Sequence, residues 1–299
     1  DNDKEYRSIF DHMIQKQTNH LLNEIKNSKD LENKIIGCTA IILTGLCYKI
    51  NKNYLEIGLS FLKKITVSSI DNQGFTRSRN IKQLIFFLKY FVLIREWFKE
   101  AQVEVPDHIE ENIYYFGQGY AFIRQNIATD LLFNGNNNSN TYDLDNYLKR
   151  LGYKFKNENK DYGGYIILKN KKICLAMDAG SSPNSKYTHD YQSGALSFEI
   201  ISNGKKLITN CGYYKKNNQR LNEVSKSSAT HSTLIIDDNS SCKFTKKKDK
   251  LILKTGLKIT QKNSVCEKNY WKISAAHDGY FKKFRSIHER NIEFFPEQM

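Results

Sequence analysis

The sequence lacks several common signatures of function. Its six cysteines form no C-x-x-C pair, so a zinc or thiol-redox site of that spacing is excluded. No apolar run approaches the ~18 residues that a membrane-spanning helix needs. The motifs G-x-x-x-x-G-K-[ST], H-E-x-x-H and G-x-S-x-G are also absent. The sequence therefore carries no signature of a P-loop nucleotide-binding protein, a zinc peptidase or an α/β-hydrolase.

Acidic residues are outnumbered. Lys and Arg total 46 against 32 Asp and Glu, which gives a net charge of +14. Such a charge favours a nucleic-acid surface or an acidic polymer such as a uronate-containing glycan, but a solvated, Lys-rich surface explains it equally well. The lysines are scattered along the chain and form no basic stripe with interleaved aromatic residues, which argues against nucleic acid.

The chain begins with Asp1 and ends with Met299, directly after a segment with strand character. Any signal peptide would lie upstream of the first residue. We expect the sequence to be a piece of a longer protein, open at both ends. It carries no indication of oligomeric state.

Up to about residue 132, apolar residues recur at three- and four-residue steps, as one face of a helix requires. Short polar breaks at 27–30 and 51–53 favour antiparallel neighbouring helices. The spacing predicts helices over residues 9–25, 31–48, 54–65, 84–98 and 109–123.

After the polar stretch 134–140 and a short predicted helix over 144–151, the period changes to two. Helices followed by strands, without β-α alternation, favour an all-α domain joined to an antiparallel sandwich. The predicted strands are 165–168, 173–177, 195–201, 206–210, 232–237, 251–254, 271–276 and 287–295.

The most informative stretch is Tyr191 to Cys211. Residues 194–200 alternate apolar and polar side chains, and Asn203-Gly204 is the strongest two-residue hairpin signal. This hairpin resembles the H-A-x-x-L-S-F-E strand that begins the sheet domain of heparinase II/III-like proteins, a family of polysaccharide lyases. The resemblance implies an α+β multidomain fold: an incomplete (α/α) toroid of helical hairpins over residues 1–155, then an antiparallel β-sandwich over 156–299. It also implies a sugar-binding cleft between the two.

A uronate lyase must neutralise the sugar carboxylate, remove the C5 proton and protonate the departing glycosidic oxygen. The loop from Asp71 to Asn80 resembles the family segment D-G-x-x-x-S-R-N. The resemblance implies that Arg77 and Asn80 bind substrate, with Arg79 beside them, because planar polar groups suit a carboxylate. The structural alternative is that Ser78 or Asn80 caps the next helix and that the arginines pair with acids.

In the opening hairpin, the family usually has a histidine where this chain has Gln192. Glutamine hydrogen-bonds a carboxylate but cannot transfer a proton at neutral pH. Either His189 takes the catalytic role from a loop, or another group such as Tyr191 serves, or the activity is lost. Gln192 then remains a substrate-binding candidate.

Two further segments resemble family motifs. Ser228 to Asp238 is similar to the A-x-H-N/S-T-L-x-[IL]-D strand, which makes His231 a catalytic candidate and upstream Arg220 a substrate-binding one. Ala275 to Tyr280 is similar to x-H-D-G-Y, which makes His277 a substrate-binding candidate. Some family members hold zinc through the first hairpin, but here only His231 of those ligands is left, so no metal and no other cofactor is expected.

The resemblance thus implies a lyase that cleaves an acidic polysaccharide by β-elimination, in the periplasm or cell envelope. The alternative is a non-catalytic glycan-binding or cell-envelope protein on the same scaffold, which Gln192 favours. No nucleic acid is expected as a partner.

Overall fold

The computed structural model of the chain describes residues 2–48, 53–124, 127, 129–137, 142–214, 219–247 and 250–298. Contacts divide the chain into two compact units. The first comprises Asp1–Asp71 and Ile85–Phe116, and the second comprises Asn72–Leu84 and Gly117–Met299. The predicted domain division at residue 155 stays a prediction. Within the described ranges, no helix combines the length and the apolar character needed to cross a bilayer.

Helices dominate the first part of the chain, as predicted. The five predicted helices up to residue 123 and the short one near residue 144 are all confirmed, with ends that differ by a few residues. The described helices are α1 (Asn2–Asn27), α2 (Leu31–Cys47), α3 (Tyr54–Ser69), α4 (Ile81–Glu100), α5 (Asp107–Arg124), α6 (Tyr142–Arg150), α7 (Gln219–Ser225) and α8 (Phe281–Phe284).

The polar breaks between helices supply the caps that start the next one. Asp30 accepts hydrogen bonds from the amides of Glu32 and Asn33 at the start of α2, and Asn53 accepts one from Glu56 at the start of α3. Each cap contributes about 1 kcal/mol, because it pairs amides that the helix leaves unbonded. Residues 51 and 52 of the second predicted break lie outside the described residues.

Glycines allow close packing of α1, α2 and α3 in the first unit. A Cβ on Gly37 of α2 would lie 2.7 Å from Cγ1 of Ile25 in α1, and one on Gly58 of α3 would lie 2.8 Å from Cγ1 of Ile42 in α2. Any larger residue would push these helices apart. The described helices therefore pack as neighbouring hairpins, as expected.

The second unit carries three antiparallel sheets. The largest has the order β1-β2-β3-β4-β5, the next β10-β9-β8, and the smallest β6-β7. The strands are β1 (Asp161–Tyr162), β2 (Tyr165–Lys169), β3 (Ile173–Asp178), β4 (Phe198–Ser202), β5 (Lys205–Ile208), β6 (Lys243–Lys247), β7 (Lys250–Thr255), β8 (Ile259–Cys266), β9 (Trp271–His277) and β10 (His288–Phe294).

The five-stranded and three-stranded sheets pack face to face. Leu175 and Met177 of β3 share one core with Trp271 and Ile273 of β9, and all four are at most 2% exposed. Burying each such side chain contributes roughly 1.5–3 kcal/mol. Helices followed by an antiparallel β-sandwich are therefore the architecture of this chain, as the sequence predicted.

The hairpin at Asn203-Gly204 is confirmed. Both residues have positive φ, 48° and 77°, as a two-residue turn of type I′ requires. The turn joins β4 to β5, and Ser202 pairs with Lys205 across it.

One strand prediction failed, and one long strand was not predicted. The strand predicted over 232–237 is wrong: a 3₁₀ turn at Ser228–Thr230 precedes extended chain that makes only one isolated bridge, between Ile236 and Asn239. Asp237 has a φ of 45°, which turns the chain where the alternating pattern would have continued. Strand β8 had no prediction, because its residues are mostly exposed and show no apolar alternation.

Candidate active site

Asn80 connects the loop before α4 to the sandwich, and the residues of the candidate site all lie in the second unit. Its Oδ1 accepts a hydrogen bond from the amide of Gln83 at 3.1 Å, which caps α4. Its Nδ2 donates to Oδ2 of Asp190 at 3.1 Å. Asn80 is only 4% exposed. The structure therefore gives Asn80 the capping role that was the structural alternative, and a second role in holding Asp190.

Arg79 is buried and pairs with an acid. Its guanidinium contacts the Asp178 carboxylate of β3 and also donates to the carbonyls of Gly164 (2.9 Å) and Gly180 (3.0 Å). Burial lowers the pKa of Arg79, but the charge and hydrogen bond of Asp178, together with the nearby Tyr165 and Tyr191, more than offset this, so the pKa is raised. A Cβ on Gly180 would lie 2.3 Å from the guanidinium carbon, so only glycine fits there. Arg79 therefore links the loop before α4 to the sandwich, and its side chain is not accessible to substrate.

His189 and Asp190 form a dyad at the surface. Nδ1 of His189 lies 2.6 Å from Oδ1 of Asp190, and the imidazole is 59% exposed whereas the carboxylate is 17% exposed. With Nδ1–H donating to the carboxylate, Nε2 carries the lone pair and faces away from Asp190. An imidazole oriented by a carboxylate has the arrangement of a general base.

Two more polar groups surround Asp190. Tyr213 is 5% exposed, and its OH accepts a hydrogen bond from Nδ2 of Asn222 at 3.0 Å. Burial and the Asp190 charge raise the pKa of Tyr213, which keeps the phenol protonated. Burial lowers the pKa of Lys226 to about 8, and the Asp190 charge acts in the opposite direction. Lys226 Nζ donates to the carbonyl of His189 at 2.5 Å, which holds the dyad's backbone.

Gln192 is enclosed. Its Oε1 accepts from the amide of Gly135 at 3.1 Å, and its Nε2 donates to the carbonyls of Gly212 (3.0 Å) and Ser225 (2.6 Å). It is 0% exposed, and both amide hydrogens are used. Gln192 therefore cannot act as a catalytic histidine would, because its side chain cannot transfer a proton and is not accessible to substrate.

His231 lies on the same buried side as Gln192. Its ring approaches Gly194, where a Cβ would stand 3.3 Å from Cγ of His231, and Nε2 is buried without a hydrogen-bond partner. Burial lowers the pKa of His231 to about 4, although a hydrogen bond with the Ser225 backbone acts to raise it. His231 is therefore neutral near pH 7. The Ser225 backbone is thus a point where the side chains of Gln192 and His231 meet.

Tyr191 and His277 lie in the interior. The Tyr191 OH accepts from Oγ of Ser182 at 3.0 Å, and burial raises its pKa well above the usual value. The His277 ring accepts from the Gly279 amide at Nδ1 and meets Nδ1 of His288 through Nε2, each at 3.0 Å. Burial and then the neighbouring His288 lower the pKa of His277 to about 3. Neither residue presents a polar atom to solvent.

Arg77 and Arg220 are exposed. Arg77 lies in the loop before α4 and Arg220 in the first turn of α7, and within the described ranges neither forms an ion pair. Their guanidinium groups are available for a carboxylate or sulfate. No contact in the structure links either of them to His189.

The structure thus brings Asn80 and His189 together on Asp190, and Gln192 and His231 together at Ser225. Sequence reasoning missed Asp190, Tyr213 and Lys226. Asp190 directly follows His189, and a carboxylate beside a candidate base is a signal that was available. Tyr213 and Lys226 gave no such signal, because only the fold carries them to Asp190.

The donor set does not suit a metal. Among the described residues, no group of three or more His, Cys, Asp or Glu side chains could hold an ion. Gly194, which lies beside the His231 ring, has no side chain that could bind a metal, whereas zinc takes about four ligands. All six cysteines are free thiols.

Comparisons with known proteins agree with this architecture. Residues 157–299 match the sequence family described as Heparinase II/III-like, C-terminal. No curated protein matches the chain significantly. A crystal structure of heparinase III superposes with a TM-score of 0.71 at 14% identity, covering 98% of this chain and 49% of that one. A mutant of heparan sulfate lyase HepC from Pedobacter heparinus gives a TM-score of 0.70 at 12% identity, covering 94% and 46%.

Identities this low show a shared fold, and this chain spans about half the length of the solved structures that it matches. The sequence match begins at residue 157, just before β1, and continues through the whole sandwich. The fold of helices and sandwich extends the similarity to most of the chain. Residues 157–299 therefore match a heparinase II/III-like C-terminal domain, and the chain as a whole shares the fold of the solved heparinases.

Proposed function

We propose that this protein is a polysaccharide lyase that cleaves an acidic, uronate-containing glycan by β-elimination. The observation that carries the proposal is the His189–Asp190 dyad, with an exposed imidazole 2.6 Å from a largely buried carboxylate. The match of residues 157–299 to the heparinase II/III-like C-terminal model supports the reaction class. The solved structures with the same fold include a heparinase III and a heparan sulfate lyase.

In the proposed reaction, Nε2 of His189 takes the C5 proton of the uronate. The C5–H electron pair forms the C4=C5 double bond while the C4–O bond breaks, and the leaving oxygen takes up a proton. Asp190 stabilises the imidazolium that forms, and Asn80 and Lys226 hold Asp190 and the His189 backbone in place. Arg77 and Arg220 are the exposed groups proposed to neutralise the sugar carboxylate.

The remaining candidates receive positioning roles in this proposal. Gln192, Tyr191 and His277 are buried, His231 is half-buried, and all four form contacts with their own chain. Gln192 supports the loop that ends in Gly135, which lies against Asn80. We also propose the periplasm or cell envelope as the location, because an enzyme would meet an acidic polysaccharide outside the cytoplasm.

The test is an assay of the full-length protein on uronate polymers that follows the ultraviolet absorbance of the unsaturated product. Replacing His189 by Gln should lower the rate by about 10²–10⁴-fold, the usual contribution of a general base. His12→Gln is the matched control, since His12 is an exposed histidine on α1. A His189→Gln variant with an unchanged rate would exclude His189 as the base.

A second candidate function is glycan binding without turnover. The position that usually carries histidine in the family holds Gln192, which is fully buried and has both amide hydrogens bonded. Binding of uronate oligosaccharides with no product from any acidic polymer would favour this function.

A further inference from the structure

A cavity of about 590 Å³ lies beside the dyad in the second unit. Its walls come from α7, β6, β7 and the chain around α8, and its size is in the range of small-ligand sites. Lys226 is part of its lining, and the same lysine donates to the His189 carbonyl at 2.5 Å. The side chain of Lys226 therefore connects the cavity to the backbone of the proposed base, His189.

Positive charge dominates the lining. Five lysines against two carboxylates leave an excess of three positive charges. One carboxylate, Glu223, already faces Lys246 at 3.8 Å. Such a cavity concentrates anions, because the walls limit the screening that water provides. The lining lysines are Lys226, Lys243, Lys254, Lys282 and Lys283, and the acids are Glu223 and Asp238.

Lys226 adds a charge that the nearby Asp190 carboxylate compensates only from a distance. The residue is 3% exposed, and its Nζ donates to the carbonyls of His189 and Leu251. No described carboxylate lies within salt-bridge distance of it. A buried ammonium without a carboxylate in direct contact is unfavourable, so an anion in the cavity would add to the compensation that Asp190 supplies.

Aromatic rings complete the lining. Phe244 and Phe284 are half-buried, Tyr280 is 1% exposed, and all three line the cavity. Lys226 Nζ lies 5.6 Å from the centre of the Phe244 ring. Apolar surface beside charged groups suits a ligand with apolar faces and anionic substituents, which is the chemistry of an acidic sugar ring.

We propose that this cavity, which we call the lysine cavity, is a subsite that binds a carboxylate- or sulfate-bearing sugar of the glycan. Lys254 and Lys282 contact the anionic substituent at the rim, and Lys226 supplies charge at the base. The inference rests on the acidic-glycan substrate class proposed above, but it does not require turnover.

The test measures tetrasaccharide binding by calorimetry at low ionic strength. The probes are a heparin tetrasaccharide, which carries carboxylates and sulfates, a hyaluronan tetrasaccharide, which carries carboxylates only, and neutral maltotetraose. We expect the full-length protein to bind the two acidic probes and to bind the neutral one at least about tenfold more weakly. A preference for heparin over hyaluronan would assign sulfate, and equal affinity would assign carboxylate.

The double variant Lys254→Gln/Lys282→Gln should weaken acidic binding by about fivefold or more. Lys171→Gln/Lys205→Gln is the matched control, because it removes the same charge from exposed positions outside the cavity. Lys226→Met should weaken binding as well, and circular dichroism would verify that each variant is folded.

Equal weakening by both double variants would overturn the proposal, since net charge alone would then explain binding. Full affinity in Lys254→Gln/Lys282→Gln would overturn the lysine cavity while leaving the substrate class intact. If neither acidic probe binds, both the proposed role of the lysine cavity and the proposed substrate class are overturned. The lyase assay on His189 variants tests the reaction separately.

Discussion

Two positions only three residues apart, His189 and Gln192, differ completely in surroundings. The His189 ring is 59% exposed and bonded to one carboxylate, whereas Gln192 is 0% exposed and bonded to three backbone groups. The position that carries the family likeness is thus part of the interior, and the accessible chemistry lies just before it. A motif match identifies the strand, but accessibility decides which of its residues meets a ligand.

The same contrast separates the two arginines of the loop before α4. Arg79 is tied to Asp178 in the interior, and Arg77 faces solvent. Four changes would sharpen or break the distinction between interior and surface, and they are ordered by expected effect.

The largest effect should come from Asp178→Ala. It leaves the buried Arg79 guanidinium without its counter-ion, so we expect a loss of about 3–5 kcal/mol in the free energy of unfolding, measured in urea. Asp161→Ala is the control, because its ion pair with Lys262 (2.5 Å) is partly exposed and should contribute at most about 1 kcal/mol. Similar losses in the two variants would contradict a structural role for Arg79.

A smaller effect should follow from pH. The folded chain keeps His231 neutral, with a pKa lowered to about 4, whereas the unfolded chain takes up that proton near pH 6.5. The unfolded state binds more protons between these values, so stability rises with pH across this window. From pH 5 to pH 7, wild type should gain about 2 kcal/mol more than His231→Gln. Parallel curves for the two proteins would show that His231 is not enclosed.

Gln192→His tests the interior directly. The imidazole cannot make all three of the bonds that Gln192 makes, so we expect a loss of about 1–3 kcal/mol in unfolding free energy. We also expect no gain in lyase activity, because the position is closed to substrate. A gain in activity at unchanged stability would place Gln192 in an open site and reverse the comparison.

The smallest effect on stability should come from Arg77→Gln. Its side chain is exposed, so unfolding free energy should change by less than about 0.5 kcal/mol. Affinity for a uronate oligosaccharide should fall a few-fold, because one guanidinium contact is lost. An equal fall in Lys171→Gln, which removes a charge from another exposed position, would show that only net charge matters.

Periodicity was enough to predict α1 to α6 and most strands, because each follows from apolar spacing or from turn residues such as Asn203-Gly204. The short helices α7 and α8 had no prediction. It failed at 232–237, where the alternation is present but positive φ at Asp237 turns the chain. It also failed at β8, whose exposed side chains leave no pattern.

The site was only partly predictable. The sequence indicated His189 and Asn80, but the link between them passes through Asp190; its place next to His189 is visible in the sequence, whereas its contact with Asn80 is not. Burial of Gln192 and His231 depends on contacts with Gly135, Gly194 and Ser225, which are distant in sequence or carry no side-chain signal. Spacing along a strand cannot supply that information.

The ion pair and hydrogen bonds that link residues 72–135 to the sandwich have a consequence for the choice of fragment boundaries. A fragment that starts at residue 157, where the family match starts, would drop the cation facing Asp178 and the amide of Leu132 that bonds Glu199. The buried carboxylates of Asp178 and Glu199 would then each lose a hydrogen-bond or ion-pair partner. Such a fragment should express as insoluble material, whereas a piece beginning before residue 72 keeps every one of those bonds.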